Sequence, residues 1–297
     1  MKNMKNIKIH EVGMRDGLQN EEKVVPFDIK VKWIEKLIEA EVDILQIGSF
    51  VHPKRMPQMA DTDKLFEYFA GKAGETILSS LVLNSKGYER ALACGCDMIC
   101  FGVSASETHS QKNTGKSTED ALNMIIESAK LAINDGKKVQ CSIQSAFGCG
   151  FEGKIDEVKV INIAKKYIDN GIKNISLADT AGHAYPEQVT RLIGAIKKYY
   201  SDTAITVHFH NTYGLGITNC YYAIEAGAEY IETAFAGLGG CPFTKVAAGN
   251  VCTEDLIYSL NRENEIISID NSKIIEVTKE AEKFFDKTLE GYIYKTK

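Results

Sequence analysis

IKIHEVGMRDGL, residues 7–18, decides between two architectures. Its first half, Ile7–Val12, reads as a short strand, and its second half, Gly13-Met14-Arg15-Asp16-Gly17-Leu18, reads as a turn. An open, doubly wound sheet that binds a nucleotide carries G-x-G-x-x-G in its first strand–helix turn. That pattern is absent here. The two glycines instead flank an Arg-Asp pair and predict a tight turn that holds both side chains.

Outward from this stretch the chain repeats a strand run followed by a helical run. Further strands are expected at Ile44–Phe50, Thr76–Leu83, Met98–Val103, Val139–Gln144, Asn174–Ala178, Ile205–His210 and Tyr230–Ala234. Between them, Asp28–Ala40, Thr118–Ala132, Ile155–Ile168 and Pro186–Tyr199 carry apolar residues at helical spacing, with Asp28 and Thr118 as expected caps. Strict alternation implies a parallel sheet. Eight units in about 250 residues match a (β/α)8 TIM barrel. We therefore expect an α/β fold with a barrel over residues 1–260 and a helical tail over 261–297. The tail would pack outside through Ile274, Val277, Ala281 and Phe284.

Composition excludes other classes. The 297 residues are 44% hydrophobic and 25% charged, ordinary for a globular chain and unlike disorder or coiled coil. A formal charge of −5, without a basic stripe, argues against nucleic acid. No apolar run is long enough to span a bilayer, and no export signal follows the basic start, so a cytoplasmic protein without a membrane partner is expected. Eight cysteines (Cys94, Cys96, Cys100, Cys141, Cys149, Cys220, Cys241 and Cys252) are scattered through apolar segments. They read as packing thiols rather than a disulfide framework. Gly115-Lys116-Ser117 resembles the end of a phosphate-binding loop, but Ser110 stands where the earlier glycine is required.

In such a barrel, chemistry gathers at the C-terminal ends of the strands. Arg15 and Asp16 follow the first strand, Gln46 and Ser49 lie on the second, and Asp179 follows the sixth. His208 and His210 end the seventh, and Cys241 and Asn250 follow the eighth. Residues two apart on a strand face one side, so both imidazoles of His208-x-His210 point into one space. With Asp16 and an amide oxygen they form a mixed O/N set suited to a divalent Lewis acid. Arg15 stays protonated and suits a developing oxyanion. Gly237-Leu238-Gly239-Gly240-Cys241-Pro242 places a thiol at the tip of a glycine loop. His10, His52, His109 and His183 read as structural or surface groups, with His52 alone near the mouth.

Several stretches together resemble the hydroxymethylglutaryl-CoA lyase family. They are Glu11-Val12-Gly13-Met14-Arg15-Asp16-Gly17-Leu18-Gln19-Asn20-Glu21, Ser49-Phe50-Val51-x-Pro53-Lys54, Pro57-Gln58-Met59-Ala60-Asp61, His208-x-His210-x-Thr212-Tyr213-Gly214, Ala236 through Phe243, and Gly249-Asn250-x-x-Thr253-Glu254-Asp255. The resemblance implies metal-dependent retro-Claisen cleavage of a 3-hydroxy-3-methylglutaryl-CoA-like thioester to acetyl-CoA and acetoacetate. It implies that Asp16, His208, His210 and Asn250 hold Mg²⁺ or Mn²⁺, and that Asp16 or His208 is the base. Arg15 would stabilise the enolate and Cys241 would protonate it. Gln19, Asn20, Ser49, Asp179 and Thr180 are expected to contact substrate. The CoA thioester would be substrate rather than resident cofactor, and the chain a homodimer.

The chain departs from the family at three places. Gln46 stands where the lyases carry glutamate, Glu22 where they carry a basic residue, and Gln140 where they carry arginine on strand 5. Three such changes are expected to cluster in one pocket and to shift the acyl-CoA substrate or weaken turnover. The Arg-Asp and His-x-His pattern is also shared with synthases that condense an acyl-CoA with a 2-oxo acid, which is the alternative reading.

Overall fold

Residues 7–240, 249–262 and 267–296 are described in the computed structural model. Eight parallel strands close into a barrel in chain order. They are β1 (Lys8–Glu11), β2 (Ile44–Ser49), β3 (Ile77–Leu81), β4 (Met98–Ser104), β5 (Lys138–Gln144), β6 (Asn174–Asp179), β7 (Ala204–Phe209) and β8 (Tyr230–Thr233). Closure comes from β8 returning to β1, in register from Lys8↔Tyr230 to Glu11↔Thr233. Every residue of β2 and β4 is buried, as expected of parallel strands covered on both faces.

The helices are α1 (Phe27–Glu39), α2 (Thr62–Phe69), α3 (Ser85–Ala93), α4 (Glu107–Thr114), α5 (Thr118–Asn134), α6 (Glu157–Asp169), α7 (Pro186–Tyr199), α8 (Gly216–Glu225), α9 (Thr253–Leu260) and α10 (Asn271–Phe285). Two expected caps are corrected. Ser117 rather than Thr118 caps α5, because its hydroxyl accepts from the Asp120 N–H at 3.0 Å. Pro26 occupies the cap position of α1, and Asp28 falls inside the first turn, where a carboxylate still complements the helix dipole.

The tail packs outside the barrel. α10 lies against α1, and Trp33 meets Phe284 and Phe285 at ring distances of 6.0 and 6.4 Å. Lys36 pairs with Glu276 and Glu280 along the rim of this contact. These exposed pairs add little, and the burial of side chains such as Ile34 and Leu37, worth about 1.5–3 kcal/mol each, holds the layer together. Beyond α10, Asp255 accepts from the N–H groups of Tyr292 and Ile293, tying the last residues to α9.

Inside the barrel, alternation along each strand sorts side chains into layers. At the bottom Ile44, Ile77, Met98, Cys100 and Tyr230 form an apolar plug. Two residues further along β2, β3 and β8 the lining turns polar, at Gln46, Ser79 and Glu232, and His10 on β1, Gln140 on β5 and Thr206 on β7 are buried polar residues on other strands of the barrel. Above them the barrel opens into a cavity of about 380 Å³.

Candidate active site

Residues 13–17 form a single wide helical turn rather than a conventional tight one. Its glycines are there for close packing, since a Cβ on Gly13 would meet the Phe235 ring at 2.5 Å and one on Gly17 would meet Leu238 at 2.9 Å. The turn after β1 is thus pressed against the segment after β8. Glu11 stitches the two together: its carboxylate accepts from the N–H groups of Gly13 and Phe235, at 2.6 and 3.1 Å, and from the Thr253 hydroxyl. Burial pushes the Glu11 carboxyl up to about 8. Gly239 has φ +109°, and a Cβ there would meet the Asn250 amide at 2.5 Å. Only glycine permits both this conformation and this approach.

Asp16, His208 and His210 converge. Each offers one ligand atom, and these atoms all lie within 4.8 Å of one another. The two Nε2 atoms are 3.1 Å apart. The residues fit a divalent cation: one carboxylate oxygen and two imidazole nitrogens make a donor set that such ions accept. Three buried polar atoms beside them, His208 Nδ1, His210 Nδ1 and Asn250 Oδ1, have no hydrogen-bond partner among the described residues.

The charges around this trio are strongly perturbed. Burial opposes the charge on Asp16, but Arg15, His208 and His210 outweigh it and hold the carboxyl well below the usual range. Burial, together with repulsion from His208, lowers His210 to about 4. Burial also works against a charged His208, yet the close contact and charge of Glu232 raise its pKa overall. The trio therefore presents an ionised carboxylate and at least one neutral imidazole, the forms a metal requires.

Arg15 is fixed at two donors. Its Nε donates to Gln46 Oε1, and its Nη1 lies 2.5 Å from Asp16 Oδ1. Gln46 lies behind the cavity lining and acts through Arg15. Asn250 donates from its amide nitrogen to Asp16 Oδ2 and to the Leu238 carbonyl, both at 2.8 Å, which orients Asp16 and leaves its own Oδ1 without a partner among the described residues.

Gln19, Asn20 and Thr180 line the cavity. Asn20 donates to the Gly240 carbonyl at 2.7 Å, joining the two loops again. Ser49 and Asp179 do not line it. Asp179 is buried and accepts from the N–H groups of His183 and Ala184, so it caps the turn after β6, and burial lifts its pKa to about 7. Ser49 is buried on β2, with its backbone N–H bonded to the Thr62 hydroxyl. Cys241 lies outside the described residues.

The three departures do not cluster. Glu22 is exposed, Gln140 sits in the polar layer below the cavity and donates to Thr206, and only Gln46 reaches the site. His52 and Arg55 are exposed and away from the lining. His109, read from the sequence as structural or surface, lines the cavity. Sequence reasoning missed Glu232, a lining residue whose Oε2 lies 2.9 Å from His208 Nδ1. The available signal was strand phase, because Glu232 stands two residues beyond the interior Tyr230 on β8. The seven described cysteines are free, and six are buried, as packing thiols should be.

Comparisons with known proteins agree with this picture. The family model described as HMGL-like matches residues 6–280. The chain is 38% identical over 256 residues to the mitochondrial hydroxymethylglutaryl-CoA lyase of Bos taurus, covering 86% of this chain and 78% of that protein. Among solved structures it is similar to the HMG-CoA lyase of Bacillus subtilis, with a TM-score of 0.94, 32% identity and 98% coverage of both chains. An HMG-CoA lyase from Acinetobacter baumannii, solved with coenzyme A and 3-methylmalate, superposes with a TM-score of 0.92 at 33% identity, covering 99% of this chain and 96% of that one.

Proposed function

This chain belongs to the HMGL-like family, and from that premise we propose that it is a carbon–carbon lyase cleaving 3-hydroxy-3-methylglutaryl-CoA to acetyl-CoA and acetoacetate. The observation that carries the reading is the convergence of Asp16, His208 and His210 beside Arg15 in one cavity. Asp16, His208 and His210, together with the unpartnered Oδ1 of Asn250, would hold the divalent ion, Mg²⁺ or Mn²⁺. When bound, such an ion supplies Lewis-acid polarisation of the substrate's hydroxyl and carboxylate.

The chain's own residues account for the remaining steps. The 3-hydroxyl proton passes to Asp16 or His208 as the C2–C3 bond breaks. The bonding electrons move onto the thioester carbonyl, giving an enolate, while the other fragment leaves as acetoacetate. Arg15 has two donors committed to Gln46 and Asp16, which fixes the guanidinium plane and leaves its other donors for the enolate oxygen. Gln46 holds this geometry through a neutral acceptor, which orients the guanidinium less firmly than a carboxylate would. Protonation of the enolate completes acetyl-CoA, a role the family resemblance assigns to Cys241. Asn250 keeps Asp16 oriented throughout.

The acyl-CoA would enter over Val51, Met56, Leu81 and Leu83, which form the apolar flank of the cavity. A homodimer belongs to this reading, and light scattering tests it. A cytoplasmic location does as well. Among the described residues no helix is long and apolar enough to cross a membrane. The functional test is a panel of CoA thioesters with Mn²⁺. Cleavage confined to those bearing a 3-hydroxyl supports the lyase, whereas condensation of acetyl-CoA with a 2-oxo acid and no cleavage would favour the synthase alternative.

A further inference from the structure

The barrel register aligns three buried ionisable side chains at one level. His10 on β1 stands opposite Glu232 on β8, and Glu232 stands opposite His208 on β7. One carboxylate is therefore flanked by two imidazoles. Its Oε2 lies 2.9 Å from His208 Nδ1, and its Oε1 lies 3.7 Å from His10 Nδ1. His10 in turn is held by Ser79, with Nε2 and Oγ 2.8 Å apart. Among the described residues that line the cavity, only Asp16 and Glu232 are carboxylic acids. Gln46, which contacts Arg15 from β2, is neutral.

We propose that Glu232 is a positioning residue for the metal centre, anchoring His208 through Nδ1 so that Nε2 faces Asp16 and His210. A carboxylate accepting from Nδ1–H fixes both the tautomer and the ring plane of an imidazole, and it makes the opposite nitrogen a better donor. The Nδ1 of His208 makes no hydrogen bond elsewhere among the described residues and lies in ion-pair contact with Glu232 Oε2 at 2.9 Å, while its Nε2 faces His210 Nε2. His10, held by Ser79, limits the freedom of the carboxylate from its other side. The negative charge beneath the trio thus comes from β8, which only β1 separates from the strand of the uncharged Gln46.

This inference rests on the metal reading above, and its test separates the two. Mn²⁺ is titrated into the full chain and its dissociation constant read by electron paramagnetic resonance, without substrate. Glu232→Leu should weaken binding about 10- to 100-fold. Glu232→Gln, which keeps an acceptor but not the charge, should fall between it and wild type. Gln140→Leu, a change in the same polar layer bonded elsewhere, should leave the constant unchanged. Nitrogen NMR of the metal-free protein should show one His208 tautomer in wild type and a mixture in Glu232→Leu. If Glu232→Leu folds and binds Mn²⁺ as tightly as wild type, the inference is overturned. If it does not fold, an unchanged constant in Glu232→Gln overturns it. Wild-type protein that binds no Mn²⁺ overturns the metal reading itself, and this inference with it.

Discussion

At the mouth of the barrel, the side built from β1, β7 and β8 carries Arg15, Asp16, His208, His210 and Glu232, whereas the neighbouring side above β2 and β3 carries Val51, Met56, Leu81 and Leu83. On the charged side nearly every side chain is fixed by another. Asn250 holds Asp16, Gln46 holds Arg15 and Glu232 holds His208. The apolar side has no such chain of constraint and offers only surface. Preorganised charge in a water-poor site lowers a barrier, while apolar surface binds ground and transition states alike. The division therefore separates turnover from affinity within one cavity.

Substitutions can break or sharpen that division. Asp16→Ala or His210→Ala should give the largest effect: turnover falls to background, and added Mn²⁺ no longer stimulates the reaction, as steady-state cleavage assays with and without metal would show. Residual metal-stimulated turnover in both variants would place the ion elsewhere. Next in size is Arg15→Met, which should lower kcat by about 10²–10³ and leave KM nearly unchanged, because the guanidinium acts on charge that develops only in the transition state. A matching rise in KM at constant kcat would make Arg15 a binding group instead. On the apolar side, Leu83→Ala should raise KM by up to about tenfold with kcat retained, in line with the loss of part of a buried side chain. The smallest change is expected for Gln46→Glu, a rise in turnover of less than about tenfold if its neutrality limits cleavage of hydroxymethylglutaryl-CoA. An unchanged or lower rate would point to a different acyl-CoA as the preferred substrate.

The same division governs what could be read from the sequence. Strand order and closure followed from apolar runs at regular spacing, because parallel strands buried on both faces leave that pattern. His208-x-His210 was legible because two imidazoles at strand spacing share a face, and Arg15-Asp16 because glycines bracket it. Glu232 and His10 were not legible. A single polar residue in a strand shows its phase only once the barrel has closed and its neighbours on β1 and β7 are known. Asp179 shows a related point. An acid after a strand reads as a substrate contact, and in the structure this one accepts from the N–H groups of its own turn. Glu22 and Gln140 looked like pocket changes because distance along the chain says nothing about height in the barrel, and the structure places one outside and the other below.

The claim that the charged side holds a catalytic metal is tested most directly by anomalous diffraction from crystals soaked in Mn²⁺. The account predicts one strong peak bonded to Asp16, His208 and His210, lost in His210→Ala. A peak bound elsewhere, or none at Mn²⁺ concentrations that support cleavage, would contradict it.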